Sequence, residues 1–99
     1  ETGDILMYFG NKDYLVSTAP THGNGKQRLY QFPNGYGASV VKHDYSYGGK
    51  SGLWELAVTD ADGALCYDTP ITDDVIGHLN DPEVDNILGQ IFRLDENGQ

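Results

Sequence analysis

Hydrophobic and polar positions alternate with a period of two through the middle of the chain, then switch to a helical period near its end. Trp54, Leu56 and Val58 point one way, Glu55 and Thr59 the other, with Ala57 between them, as in a strand with one buried face. Upstream, Arg28-Leu29-Tyr30-Gln31-Phe32 is followed by Pro33-Asn34-Gly35. Asn-Gly between two strand-like runs marks a hairpin, because both residues tolerate positive φ. The returning strand is expected from Tyr36 to about Tyr47. Ser39, Val41, His43, Tyr45 and Tyr47 would share one face, and Ala38, Val40, Lys42 and Asp44 the other.

Turn chemistry punctuates the rest. Ile5-Leu6-Met7-Tyr8-Phe9 and Tyr14-Leu15-Val16 flank Gly10-Asn11-Lys12-Asp13 and read as a further hairpin. Residues 19–27 hold two glycines and no apolar period, which predicts a loop. Gly48-Gly49-Lys50-Ser51-Gly52 and Asp60-Ala61-Asp62-Gly63 are turns, the second followed by a returning strand from Ala64 to Thr69.

After Pro70 the period lengthens. Thr72 with Asp73 and Asp74 makes an N-cap with acids in the first turn, and Val75, Ile76 and Leu79 form one face of a short helix. Asp81-Pro82-Glu83 is a second start signal, with Asp81 as the cap. Val84, Ile87, Leu88, Ile91 and Phe92 then recur as an amphipathic stripe. The expected fold is α+β: an antiparallel β-meander of four to six strands, followed by two C-terminal helices packed on one sheet face. Residues 4–99 read as one domain, with the meander over 28–69 and the helical part over 72–94. The last helix should bury its stripe against Trp54, Leu56 and Val58.

Composition sharpens this picture. Of 99 residues, 38% are apolar, enough for one core. The net charge of −9 is unevenly spread: residues 1–59 hold five acids and five bases, whereas residues 60–99 hold ten acids and one base, Arg93. Such a surface should repel nucleic acid and anionic membranes and attract basic partners. One cysteine, Cys66, permits no intrachain disulfide, and no apolar run approaches the roughly 20 residues of a membrane span. No signal-peptide pattern is present. Glu1-Thr2-Gly3 resembles a vector remnant and is left out of the fold reasoning.

Candidate chemistry is sparse. Asp60, Asp62 and Gly63 resemble part of a calcium loop, but with Gly63 at the sixth position the first and twelfth fall on Val58 and Thr69, so a tight turn is expected. Asp68, Asp73 and Asp74 would converge between a strand end and a helix start. Paired carboxylates there suit acid–base chemistry or Mg²⁺, or simply complement a helix dipole. Cys66 has His22, His43 and His78 as distant partners but no local motif, which favours a buried structural thiol. The ligand spacing of a zinc site is missing, and no cofactor is expected. Tyr36, His43, Tyr45 and Tyr47 form an aromatic group beside flexible glycines. It reads either as contact surface, since tyrosine covers large area at little entropic cost, or as the lining of a second sheet face.

Three stretches, Tyr36-Gly37-Ala38-Ser39-Val40-Val41, Gly52-Leu53-Trp54-Glu55-Leu56-Ala57-Val58 and Asp68-Thr69-Pro70-Ile71-Thr72-Asp73-Asp74-Val75-Ile76-Gly77, resemble a family of small uncharacterised bacteriophage proteins. The resemblance covers about residues 34–94. It implies a viral protein in a bacterial host cytoplasm and carries over no catalytic residue.

The expected function is a non-enzymatic acidic binding module, a phage accessory protein that docks on a basic surface of a host or viral protein. In a sharper form it mimics nucleic acid, with Asp68, Asp73, Asp74, Asp81, Glu83 and Asp85 occupying the phosphate groove of a nucleic-acid-binding host protein. The alternatives are a small metal-dependent hydrolase using Asp68, Asp73 and Asp74, and a virion structural or assembly component that forms a homodimer through exposed strand edges.

Overall fold

The computed structural model describes residues 14–21, 25–67, 69–71, 74–95 and 97–99. Five strands form one antiparallel sheet in chain order: β1 Leu15–Pro20, β2 Lys26–Gln31, β3 Gly37–Lys42, β4 Trp54–Thr59 and β5 Ile76–Leu79. A single long helix, α1 (Asp81–Phe92), follows β5. The fold is therefore α+β with a meander, as the alternation implies, but with one C-terminal helix among the described residues rather than two.

The segment read as the first helix is instead the edge strand β5. Trp54 pairs with Leu79 and Leu56 with Ile76, with an irregularity between the pairs where His78 takes a φ of 57°. Val75, Ile76 and Leu79 suit either period. What decides is the edge of β4, which offers a ladder of backbone groups, and Gly77, a poor helix former. Thr72 and Asp73, the expected cap of that helix, lie outside the described residues, and Asp74 is exposed.

Three other boundaries move. The chain pairs Ala19 with Gln27 and Pro20 with Lys26, so both ends of the expected loop over 19–27 belong to β1 and β2. Among the described residues of the expected returning strand over Ala64–Thr69 there is one bridge, Leu65 to Thr59, and the Cys66 N–H donates to Val58 O. Cys66 is half-buried against the core rather than enclosed in it. Finally, β3 stops at Lys42, so His43, Tyr45 and Tyr47 share no strand face. The hairpin around Gly10–Asp13 lies outside the described residues.

The Asn34-Gly35 turn forms as its sequence dictates. Gly35 has a φ of 92°, and the Phe32 N–H donates to Tyr36 O at 2.8 Å. The register that follows, Tyr30 opposite Ala38 and Arg28 opposite Val40, aligns with Val40 opposite Leu56 and Ala38 opposite Val58. Tyr30, Ala38, Val40, Trp54, Leu56 and Val58 thus face one side, where α1 lays Val84, Leu88 and Ile91 on them. Leu88 and Ile91 are fully buried, and Ile87 and Phe92 flank the contact.

Polar side chains fix the helix at both ends. Its cap is Asn80, one residue before the expected Asp81: Asn80 Oδ1 accepts from the Glu83 N–H, and Glu83 Oε1 accepts from the Asn80 N–H. Asp81 is thereby released to accept the Trp54 indole N–H at 2.7 Å. At the other end the Asn34 amide donates to the carbonyls of Ile91, Phe92 and Leu94. These are acceptors that a helix C-terminus otherwise leaves to water.

Candidate functional site

Beyond β3 the chain makes a structured loop, residues 43–52, that carries the exposed aromatics. Ser46 organises its first turn: the buried hydroxyl accepts from the His43 N–H and donates to His43 O, both at 2.9 Å. His43 Nδ1 accepts from the Tyr45 N–H, and the two rings lie 6.3 Å apart. Tyr47 is held from both sides, its N–H donating to Glu55 Oε1 at 2.8 Å and its carbonyl accepting from the His78 N–H at 3.1 Å. Gly77 is required beneath it, since any side chain at that position would collide with Tyr47 Cβ.

The outcome is a fixed backbone that presents two exposed rings. Tyr45 is 81% exposed and Tyr47 62%. Asp44, also exposed, lies between His43 and Tyr45. Tyr36 does not join this group: it lies half-buried at the opposite end of β3, packed against the core. Of the four aromatic candidates, His43, Tyr45 and Tyr47 come together in one loop and Tyr36 does not.

The acidic candidates separate similarly. Asp68 and Asp73 lie outside the described residues. Asp81 is engaged by the Trp54 indole and Glu83 by its capping box, while Asp85 is half-buried near the Tyr30 phenol. Asp74 is exposed. Two of the six acids in the expected phosphate-mimicking row thus carry hydrogen bonds that build the fold. Among the described residues no group of three or more His, Cys, Asp or Glu side chains converges to hold a metal ion. The Asp60 turn is as expected: its Oδ1 accepts from the N–H groups of Asp62 and Ala64, and Gly63 has a φ of 81°.

Sequence reasoning did not identify two features. The first is the support for Tyr47 from Gly77, Glu55 and His78, contributed by two other strands. The second is the surrounding of Trp54, 2% exposed, whose ring has the Arg28 guanidinium at 4.5 Å and the Lys42 ammonium at 4.4 Å from its centroid. The alternation placing Arg28, Lys42 and Trp54 on one sheet face was the available signal. Nearby, the buried Tyr30 hydroxyl has no hydrogen-bond partner. Burial pushes the Tyr30 phenol above its ordinary pKa; the positive charge of Arg28 pulls it back, and Asp85 adds to the rise.

No helix among the described residues is long and apolar enough to cross a membrane. No protein-family model matches the chain, and no curated protein or solved structure matches it either. The class in evidence is a small α+β domain whose described residues form a five-stranded meander under one helix.

Proposed function

We propose that this chain is a non-enzymatic binding module that docks on a basic protein surface through the loop carrying Tyr45 and Tyr47. The observation that carries the reading is the exposure of these two rings on a backbone held by Ser46, Glu55 and His78. A ring presented on a fixed backbone loses little entropy when it is covered, and tyrosine supplies apolar area together with a hydroxyl. Its face also attracts lysine and arginine from a partner. The net charge of −9 favours approach to such a partner over long range. The setting that fits the sequence resemblance is a phage accessory protein in a bacterial host cytoplasm, acting on a host or viral protein.

Affinity capture from bacterial lysate with the immobilised full chain tests the reading. The expected result is a discrete partner retained at low salt, released at high salt, and lost when Tyr45 and Tyr47 are both replaced by alanine. Absence of any partner at low salt, or capture that the double variant leaves unchanged, overturns it.

A further inference from the structure

Three of the chain's six basic residues, Lys26, Arg28 and Lys42, meet at one end of the helix-bearing sheet face. Lys26 and Lys42 are directly opposite one another on β2 and β3, and Arg28 lies two residues along from Lys26 on the same face. Like charges directly opposite on neighbouring strands repel, so this arrangement weakens the sheet. Covering the indole of Trp54 does not require it, since one cation over the ring is enough for that interaction and here there are two. Asp81 lies close by but already accepts the indole N–H. In a chain with fifteen acids, clustering of half the bases is the opposite of what solubility alone would produce.

Alongside these cations the surface is concave. A depression of about 680 Å³ has Thr18, Lys26 and Arg28 in its wall. Thr18 is opposite Arg28 in the β1–β2 register, so its hydroxyl shares the face that carries the charges. A forked guanidinium, two ammonium groups and a hydroxyl form a donor set matched to tetrahedral oxyanions, with arginine offering paired N–H groups and lysine compact charge.

We propose that this basic depression is a binding site for a small, multiply charged oxyanion, a phosphoryl group above all, held by Lys26 and Arg28 in its wall, with Lys42 beside them on the next strand. The site is independent of the partner docking assigned to the tyrosine loop and has the opposite charge preference. An anion bound there relieves the repulsion between Lys26 and Lys42 and draws Arg28 and Lys42 from the face of Trp54.

Trp54 is the only tryptophan in the chain, so its fluorescence reports on the site directly. Inorganic pyrophosphate and citrate, each titrated into the full chain at constant ionic strength, separate phosphoryl from carboxylate chemistry. Pyrophosphate is expected to give a saturable change and to bind more tightly than citrate. Lys26→Gln and Arg28→Gln should each weaken it about tenfold, the loss of one charge-assisted contact, whereas Lys50→Gln should bind as the parent does. Lys26 is exposed at a strand end, so its replacement decides the matter even where Arg28→Gln lowers the melting temperature. A response that never saturates, one that sodium chloride alone reproduces, equal binding by Lys26→Gln, or tighter binding of citrate overturns the proposal.

Discussion

The side-chain amide of Asn34 donates to the backbone oxygen of Ile91 at 2.8 Å, across a separation of 57 residues. The same nitrogen reaches Phe92 O and Leu94 O, and the Asn34 oxygen accepts from the Tyr36 N–H. A turn residue thereby serves as the terminal cap of a helix remote in sequence. Asn34→Ala should cost about 1–3 kcal/mol, since it leaves these acceptors unsatisfied beside the core. Asn34→Asp should cost more, because a carboxylate would face carbonyl oxygens at the negative end of the helix dipole. Urea denaturation of the two variants checks the order.

Asp81 and Trp54 make the corresponding connection at the other end of the helix. Asp81→Ala strands the indole N–H and should cost about 1–2 kcal/mol, while Asp81→Asn keeps an acceptor and should lose less. The emission of Trp54 should change in the alanine variant and stay near that of the parent in the asparagine variant.

Tyr30 contributes a pH dependence at the alkaline end. Its folded-state pKa is raised above the value of about 10 that an unfolded chain shows. The neutral phenol is the form the fold favours, so its contribution is complete below pH about 10 and declines as pH climbs through the higher folded value. Tyr30→Phe removes a buried hydroxyl without a partner and should alter stability near neutrality by less than about 1 kcal/mol. Melting temperatures measured from pH 8 to about 11 should fall at the alkaline end for the parent and fall less for the variant.

Gly77→Ala should cost about 1–3 kcal/mol by overpacking against Tyr47 Cβ. In a Tyr47→Gly background the same change should be nearly neutral. The double-mutant cycle measures that coupling, and additive costs would show that the two residues do not meet.

How much of this was legible in the sequence depended on whether the deciding interaction was local. The Asn34-Gly35 turn, the presence of a strand on either side of it and the stripe from Val84 to Phe92 read correctly because each is specified within a few residues. The segment containing Val75, Ile76 and Leu79 did not, since three apolar residues at that spacing serve a strand or a helix equally. The choice between them is made by the edge of β4, some twenty residues earlier. Tyr45 and Tyr47 were grouped on a strand face whose exposure the alternation left open, and that geometry was wrong because the Ser46 hydroxyl turns the chain where the alternation would have carried the strand on. The Asp81 cap was misplaced by one residue because Asn80 and Asp81 are both good caps, and only the position of Trp54 assigns the carboxylate elsewhere. The gathering of Lys26, Arg28 and Lys42 depends on strand register, which composition does not encode.

The hold of Asn34 on the last turn of α1 gives the molecule two unlike poles. At one, the carbonyls are satisfied from within, the Tyr14, Phe32 and Phe92 rings close over the core, and little is left to attract a visitor. Both proposed binding surfaces lie at the far pole, where β3 ends at Lys42 and the tyrosine loop begins. A ligand on the cations and a protein on the rings would then be close neighbours, separated by the single residue step from Lys42 to His43.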